Sequence, residues 1–123
     1  NFGPAFGRCF TKLRLVTTST ASSRMALIMS AYLIIVFRSV DDPEKVEAYK
    51  RIAGPLLEAS ATRFVVRGDP ARAYESGVLE RVVIIEFESL QKAIDTYESP
   101  AYRASLVALG DGAVRDVRIV EGV

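Results

Sequence analysis

Apolar residues fall into four short runs along the chain, and two longer stretches between them repeat their apolar positions every three or four residues. The clearest run is Val82-Val83-Ile84-Ile85, four consecutive β-branched residues with Glu80 before it and Glu86 after it. It predicts a strand buried on both faces, from Glu80 to Glu88. Tyr32 to Arg38, Thr62 to Arg67 and Arg115 to Glu121 read as three further strands. After the first of them, Asp42 suits a helix N-cap and Pro43 the first helical position, where a missing N–H costs nothing. Val46, Tyr49, Ile52, Ala53, Leu56 and Leu57 then form one apolar stripe at helical spacing. Gly54-Pro55 interrupts that stripe and predicts a kink or a short break. Ser89 opens a second helix with Ala93, Ile94 and Tyr97 facing inward. Ser99-Pro100 repeats the cap-then-proline device, so this helix kinks or restarts there. Tyr102, Leu106 and Leu109 carry the stripe on to a stop at Gly110. Tyr49, Tyr97 and Tyr102 sit at helical spacing and read as core.

The resulting order, β-α-β-β-α-β, is the split β-α-β pattern of an α+β, ferredoxin-like sandwich: one four-stranded antiparallel sheet with the helices on one face. The second and third strands form a hairpin, in which opposed residues point to the same face. A register that avoids setting Arg67 against Arg81 opposes Arg63 to Glu86, Val65 to Ile84 and Arg67 to Val82, with Glu80 diagonal to Arg67. Phe64, Val66, Val83, Ile85 and Phe87 then gather under the helices with Leu33, Ile35, Phe37, Val117 and Ile119. The second face carries Tyr32, Ile34, Val36, Val65, Val82, Ile84 and Val120 beside Arg63, Arg67, Glu80, Glu86 and Arg118. That face is too apolar for water and too charged for a simple core. A second copy of the chain, sheet against sheet with a polar cleft between, satisfies both demands.

From Ala31 to Val123 the chain resembles domain-of-unknown-function family 1330, of the dimeric α+β barrel superfamily. The resemblance rests on Ala31-Tyr32-Leu33-Ile34, Asp42-Pro43-Glu44, Pro55-Leu56-Leu57, Arg63-Phe64, Arg67-Gly68, Arg81 to Phe87, Tyr97, Ser99-Pro100 with Tyr102, and Ile119 to Val123. Ala61-Thr62 stands where the family commonly has Gly-Gly, Glu88 where it has Pro, and Thr96 where it has Trp. The resemblance implies a small homodimer with facing sheets, and the family brings no established reaction with it.

Composition narrows the chemistry. The 123 residues, half of them hydrophobic and a quarter charged, suit one domain. A net charge of +1 gives no reason to expect nucleic acid or an acidic membrane as a partner. The apolar run 26–37 is short of the roughly 20 residues of a membrane helix. A single cysteine, Cys9, forms no internal disulfide and fits a reducing, cytoplasmic setting. The absence of histidine removes the Ser-His-Asp and Cys-His arrangements, the His-rich metal sites and the usual base near neutral pH. No metal and no cofactor are expected.

Residues 1–24 carry four basic residues and no acid, leaving twelve basic and fifteen acidic groups in the rest. They are rich in Ser and Thr. A transit-type segment, a start assigned upstream of Met25 and a disordered tail all fit that composition. Residues 25–123 are then a single domain.

The candidate ligand-binding residues are Tyr32, Arg63, Arg67, Glu80 and Glu86. The arginines would anchor a small organic acid. Glu86 is the one candidate acid or base, through a pKa raised by burial. Two functions remain open at this point. One is a homodimeric small-molecule-binding or interaction module without turnover, in which these charges pair with one another inside the interface. The other is a cofactor-independent isomerase or monooxygenase acting on a small oxygenated or aromatic acid. A ligand-sized cavity beside Glu86 would favour the second.

Overall fold

The structure is a computed structural model and describes residues 29–123. The expectations for residues 1–24 lie outside the described residues. Strand β1 (Ala31–Val40) is followed by helix α1 (Pro43–Ser60), strands β2 (Arg63–Gly68) and β3 (Val82–Phe87), helices α2 (Leu90–Tyr97) and α3 (Pro100–Leu109), and strand β4 (Ala113–Glu121). The four strands form one sheet in the order β2-β3-β1-β4 with every neighbouring pair antiparallel. This is the predicted ferredoxin-like α+β architecture.

Local chemistry sets the helix ends. The Asp42 carboxylate accepts from the Glu44 amide at 3.1 Å, and Pro43 follows it. Ser89 accepts from the Lys92 amide at 3.1 Å, and Ser99 from the Tyr102 amide at 3.2 Å. Each cap satisfies an amide that the first turn leaves without a carbonyl. The second predicted helix therefore restarts at Ser99-Pro100. The first does not break. α1 continues unbroken through Gly54-Pro55, because Pro55 lies exposed and forfeits only one backbone bond on the outer side.

β1 lies at the centre. Ala31, Leu33, Ile35 and Phe37 are buried, while Tyr32, Ile34 and Val36 alternate with them on the other side. Ile85, Phe87 and Val83 join the buried set, and α1 to α3 cover it with Val46, Tyr49, Ala53, Leu57, Ala93, Tyr102 and Leu109. Gly112 closes the approach to β4: its carbonyl accepts from the Asp41 and Asp42 amides, and a Cβ there would stand 2.7 Å from that of Lys45.

Tyr49, Tyr97 and Tyr102 are core residues, as their spacing indicates. Tyr102 is fully buried, meets Tyr49 edge-to-face and lies with its ring centroid 4.7 Å from that of Tyr97. The Tyr49 and Tyr102 hydroxyls share a hydrogen bond of 2.6 Å. Burial, reinforced by Tyr49, pushes the Tyr102 phenol well above its ordinary value. An unfolded chain ionises this tyrosine first, so its contribution is complete below about pH 10 and is lost as pH rises further. Tyr102→Phe should cost about 1–3 kcal/mol in urea unfolding at neutral pH, because the buried Tyr49 hydroxyl loses its partner. It should also flatten the fall in stability above about pH 10. Adding Tyr49→Phe should recover part of the neutral-pH loss.

Candidate functional site

The sheet presents two faces, and the expected site residues do not all stay on one of them. On the open face, opposite the helices, Arg63, Glu86, Tyr32 and Val120 form a row across the four strands. Arg63 Nε donates to Glu86 at 2.8 Å, and the Ser30 hydroxyl donates to its second oxygen at 2.9 Å. The Glu86 side chain is 14% exposed and that of Arg63 65%, so the acid is already half inside while its partner is not. Gly122 closes over Tyr32, and a Cβ there would come within 2.8 Å of the Tyr32 ring. Ile34, Val36, Val82 and Ile84 continue the face, with Arg118 paired to Asp116 at its β4 edge.

Arg67 is not among them. The predicted register holds at Arg63–Glu86 and Phe64–Ile85, and then slips by one residue. Val66 stands against Ile84, Arg67 against Val83 and Gly68 against Val82. Val65 is the extra residue of a bulge, and a single insertion reverses the face of everything beyond it. Val66, expected under the helices, is 40% exposed on the open side beside Val65 at 41%. Arg67, expected beside Arg63, turns toward α1. Its guanidinium stacks over Phe64 at 4.2 Å and reaches Glu58 at 3.4 Å. Glu80 precedes β3, so it has no place in the hairpin ladder and is not diagonal to Arg67. The structure therefore joins Arg63, Glu86 and Tyr32, and separates Arg67 and Glu80 from them.

On its new face Arg67 borders a cleft of about 210 Å³ between α1 and the hairpin. Ile35, Ala53, Leu57 and Val83 form its apolar lining, and Phe64 and Tyr49 are among its walls. Lys50 and Arg81 complete a set of three cations around it with Arg67. Behind the wall, the Arg115 guanidinium packs on the rings of Phe37 and Tyr49, 5.5 and 4.6 Å from their centroids. Its Nη1 is buried and has no hydrogen-bond partner among the described residues. Lys50 and Arg81 escaped the sequence reading, though a signal existed. Arg81 is in phase with Val83, Ile85 and Phe87, and Lys50 precedes Ala53 and Gly54 by three and four positions on α1. Among the described residues, no group of three or more Cys, Asp or Glu is placed to hold a metal ion. Nor is any helix there long and apolar enough to cross a membrane.

An antiparallel sheet with helices on one face, an exposed second face and a small cleft under the first helix defines a ferredoxin-like α+β protein. The chain belongs to the family described as Domain of unknown function (DUF1330), whose profile matches residues 30–123. In fold it is similar to a protein of unknown function from Rhodopseudomonas palustris (19% identity, TM-score 0.59, 87% of this chain and 93% of that one). It is also similar to a dimeric ferredoxin-like protein of unknown function from Thermobifida fusca (19%, 0.54, 77% and 91%). A third likeness is to a candidate antibiotic biosynthesis monooxygenase from Caulobacter crescentus (15%, 0.51, 78% and 92%). No curated protein matches the chain in sequence.

The bulge makes a direct prediction. With Val65 deleted, Phe64–Ile85, Val66–Ile84 and Arg67–Val83 become consecutive rungs of a regular ladder. The variant should fold with Arg67 still toward α1, and cross-strand NOEs should connect Arg67 to Val83. NOEs connecting Arg67 to Val82 instead would show that Val65 is not the extra residue of the ladder.

Proposed function

We propose that the protein works as a homodimeric interaction module whose open sheet faces pair, without turnover at Glu86. The observation that carries this reading is the open face itself. Tyr32, Ile34, Val36, Val82 and Ile84 form a continuous apolar strip with Val65, Val66 and Val120, and all three helices lie on the other side. Burying such a strip stabilises by about 25 cal/mol per Å² of apolar area, which a single copy forgoes. The Thermobifida neighbour is described as dimeric and shares the fold, which supports the same arrangement here. In a pair of facing sheets Arg63 and Glu86 become an interface ion pair, with Ser30 filling the remaining acceptor of the carboxylate.

The enzymatic alternative has less behind it. The Caulobacter neighbour suggests a monooxygenase by its name, but the likeness is one of fold. Glu86, the acid or base such a reading would use, is held by two donors and does not line the cleft, which lies on the opposite face.

Sedimentation at micromolar concentration should give a dimer, and a well-folded monomer there would defeat the proposal. Glu86→Gln strands the Arg63 charge and should destabilise the dimer by about 3–5 kcal/mol. Replacing the pair by Arg63→Met with Glu86→Leu should restore most of that loss in the same equilibrium measurement.

A further inference from the structure

The cleft under α1 lies within one copy, so what it binds does not depend on whether two copies pair. Its chemistry has a direction. Apolar side chains from three elements, Ile35, Leu57 and Val83 among them, line its interior, while among the described residues all the charged side chains that border it are cationic. Arg81 makes no ion pair or side-chain hydrogen bond among the described residues. Arg67 is held in place by its stacking on Phe64, and its contact with Glu58, like that of Lys50 with Glu47 at 3.1 Å, joins two exposed side chains. Such surface pairs contribute little and exchange readily for a better acceptor. The walls are fixed from behind, since Tyr49 is tied to Tyr102 by its hydroxyl and backed by the Arg115 guanidinium.

The occupant is therefore a molecule with one anionic end and one apolar end. Planar guanidinium groups match a carboxylate, which can accept two parallel N–H bonds from one arginine. Size sets the other limit. A protein cavity of roughly 150 Å³ accommodates benzene, so about 210 Å³ leaves room for one ring or a branched chain of that bulk and its carboxylate. It falls short of the roughly 300 Å³ at which pockets for drug-sized ligands begin. We infer that this cleft is a binding site for small monocarboxylic acids bearing a single ring or an equally compact apolar tail. Lys50, Arg67 and Arg81 receive the carboxylate, and the interior between α1 and β3 receives the tail.

Gly54 provides a way to close the site without dismantling the fold. It lines the cleft, and a Cβ built on it meets nothing within 4 Å. Gly54→Leu would project into the cleft while placing a better helix former in α1. The experiment is calorimetric titration of the full chain with benzoate, benzyl alcohol and acetate, with melting temperatures recorded in parallel. Benzoate should bind and raise the melting temperature. Benzyl alcohol, which lacks the charge, and acetate, which lacks the tail, should each bind at least about tenfold more weakly. Arg67→Gln combined with Arg81→Gln should weaken benzoate by about tenfold or more. Gly54→Leu should abolish binding in a protein that melts no lower than the parent. No binding at about 10 mM benzoate, equal binding of benzyl alcohol, or undiminished binding in both variants would overturn the assignment. None of these results bears on dimerisation, which sedimentation reads separately.

Discussion

The antiparallel register of β1 against its two neighbours is the constraint on which the rest depends. β1 lies between β3 and β4, with Leu33 against Ile85 on one side and Ile119 on the other, and Tyr32 against Glu86 and Val120. A slip of one residue in either ladder would send Leu33, Ile35 and Phe37 to the wrong face relative to their partners. With the register fixed, the helix-covered layer has one composition and the open layer another, and every later choice is made within one of them. The Asp42 and Ser89 caps, the restart at Ser99 and the closure at Gly112 all serve to bring the helices over the first layer.

The sheet thereby divides two kinds of chemistry by a single thickness of backbone. On one side a carboxylate that is already half-buried is matched by a hydroxyl and a guanidinium. On the other, three cations border an apolar recess. Neighbouring positions on one strand, Val66 and Arg67, serve different sides, so mutations adjacent in sequence should have unrelated consequences.

Most of this was legible in the sequence. The β-branched run at Val82 announced the interior strand, alternation from Leu33 to Phe37 gave the covered face, and cap-then-proline pairs marked two helix starts. Arg63 against Glu86 followed from the hairpin and from keeping Arg67 away from Arg81. The slip at Val65 was not legible, and the reason is physical. Val65 and Val66 are identical in character, so an extra valine in the ladder leaves the hydrophobic pattern unchanged and only the parity of later residues reveals it. Avoiding Arg67 opposite Arg81 was a sound demand, but a bulge satisfies it as well as a regular register does. The break offered at Pro55 as one of two outcomes does not occur, for a related reason. A proline on the outer side of a packed helix removes one backbone bond, and burial of Tyr49, Ala53 and Leu57 on the inner side holds the helix through it.

The position of the bulge has a consequence for how copies of this chain avoid each other. β2 is an outer strand, and its free side offers unpaired amide and carbonyl groups to any passing strand. Six residues with two adjacent valines would be a ready template for strand-to-strand growth into fibres. The extra residue twists and interrupts that template in its middle, and Arg63, Arg67 and Gly68 leave no flat apolar ribbon around it. The same irregularity that sends a guanidinium toward α1 thus leaves the β2 edge a poor template for an added strand.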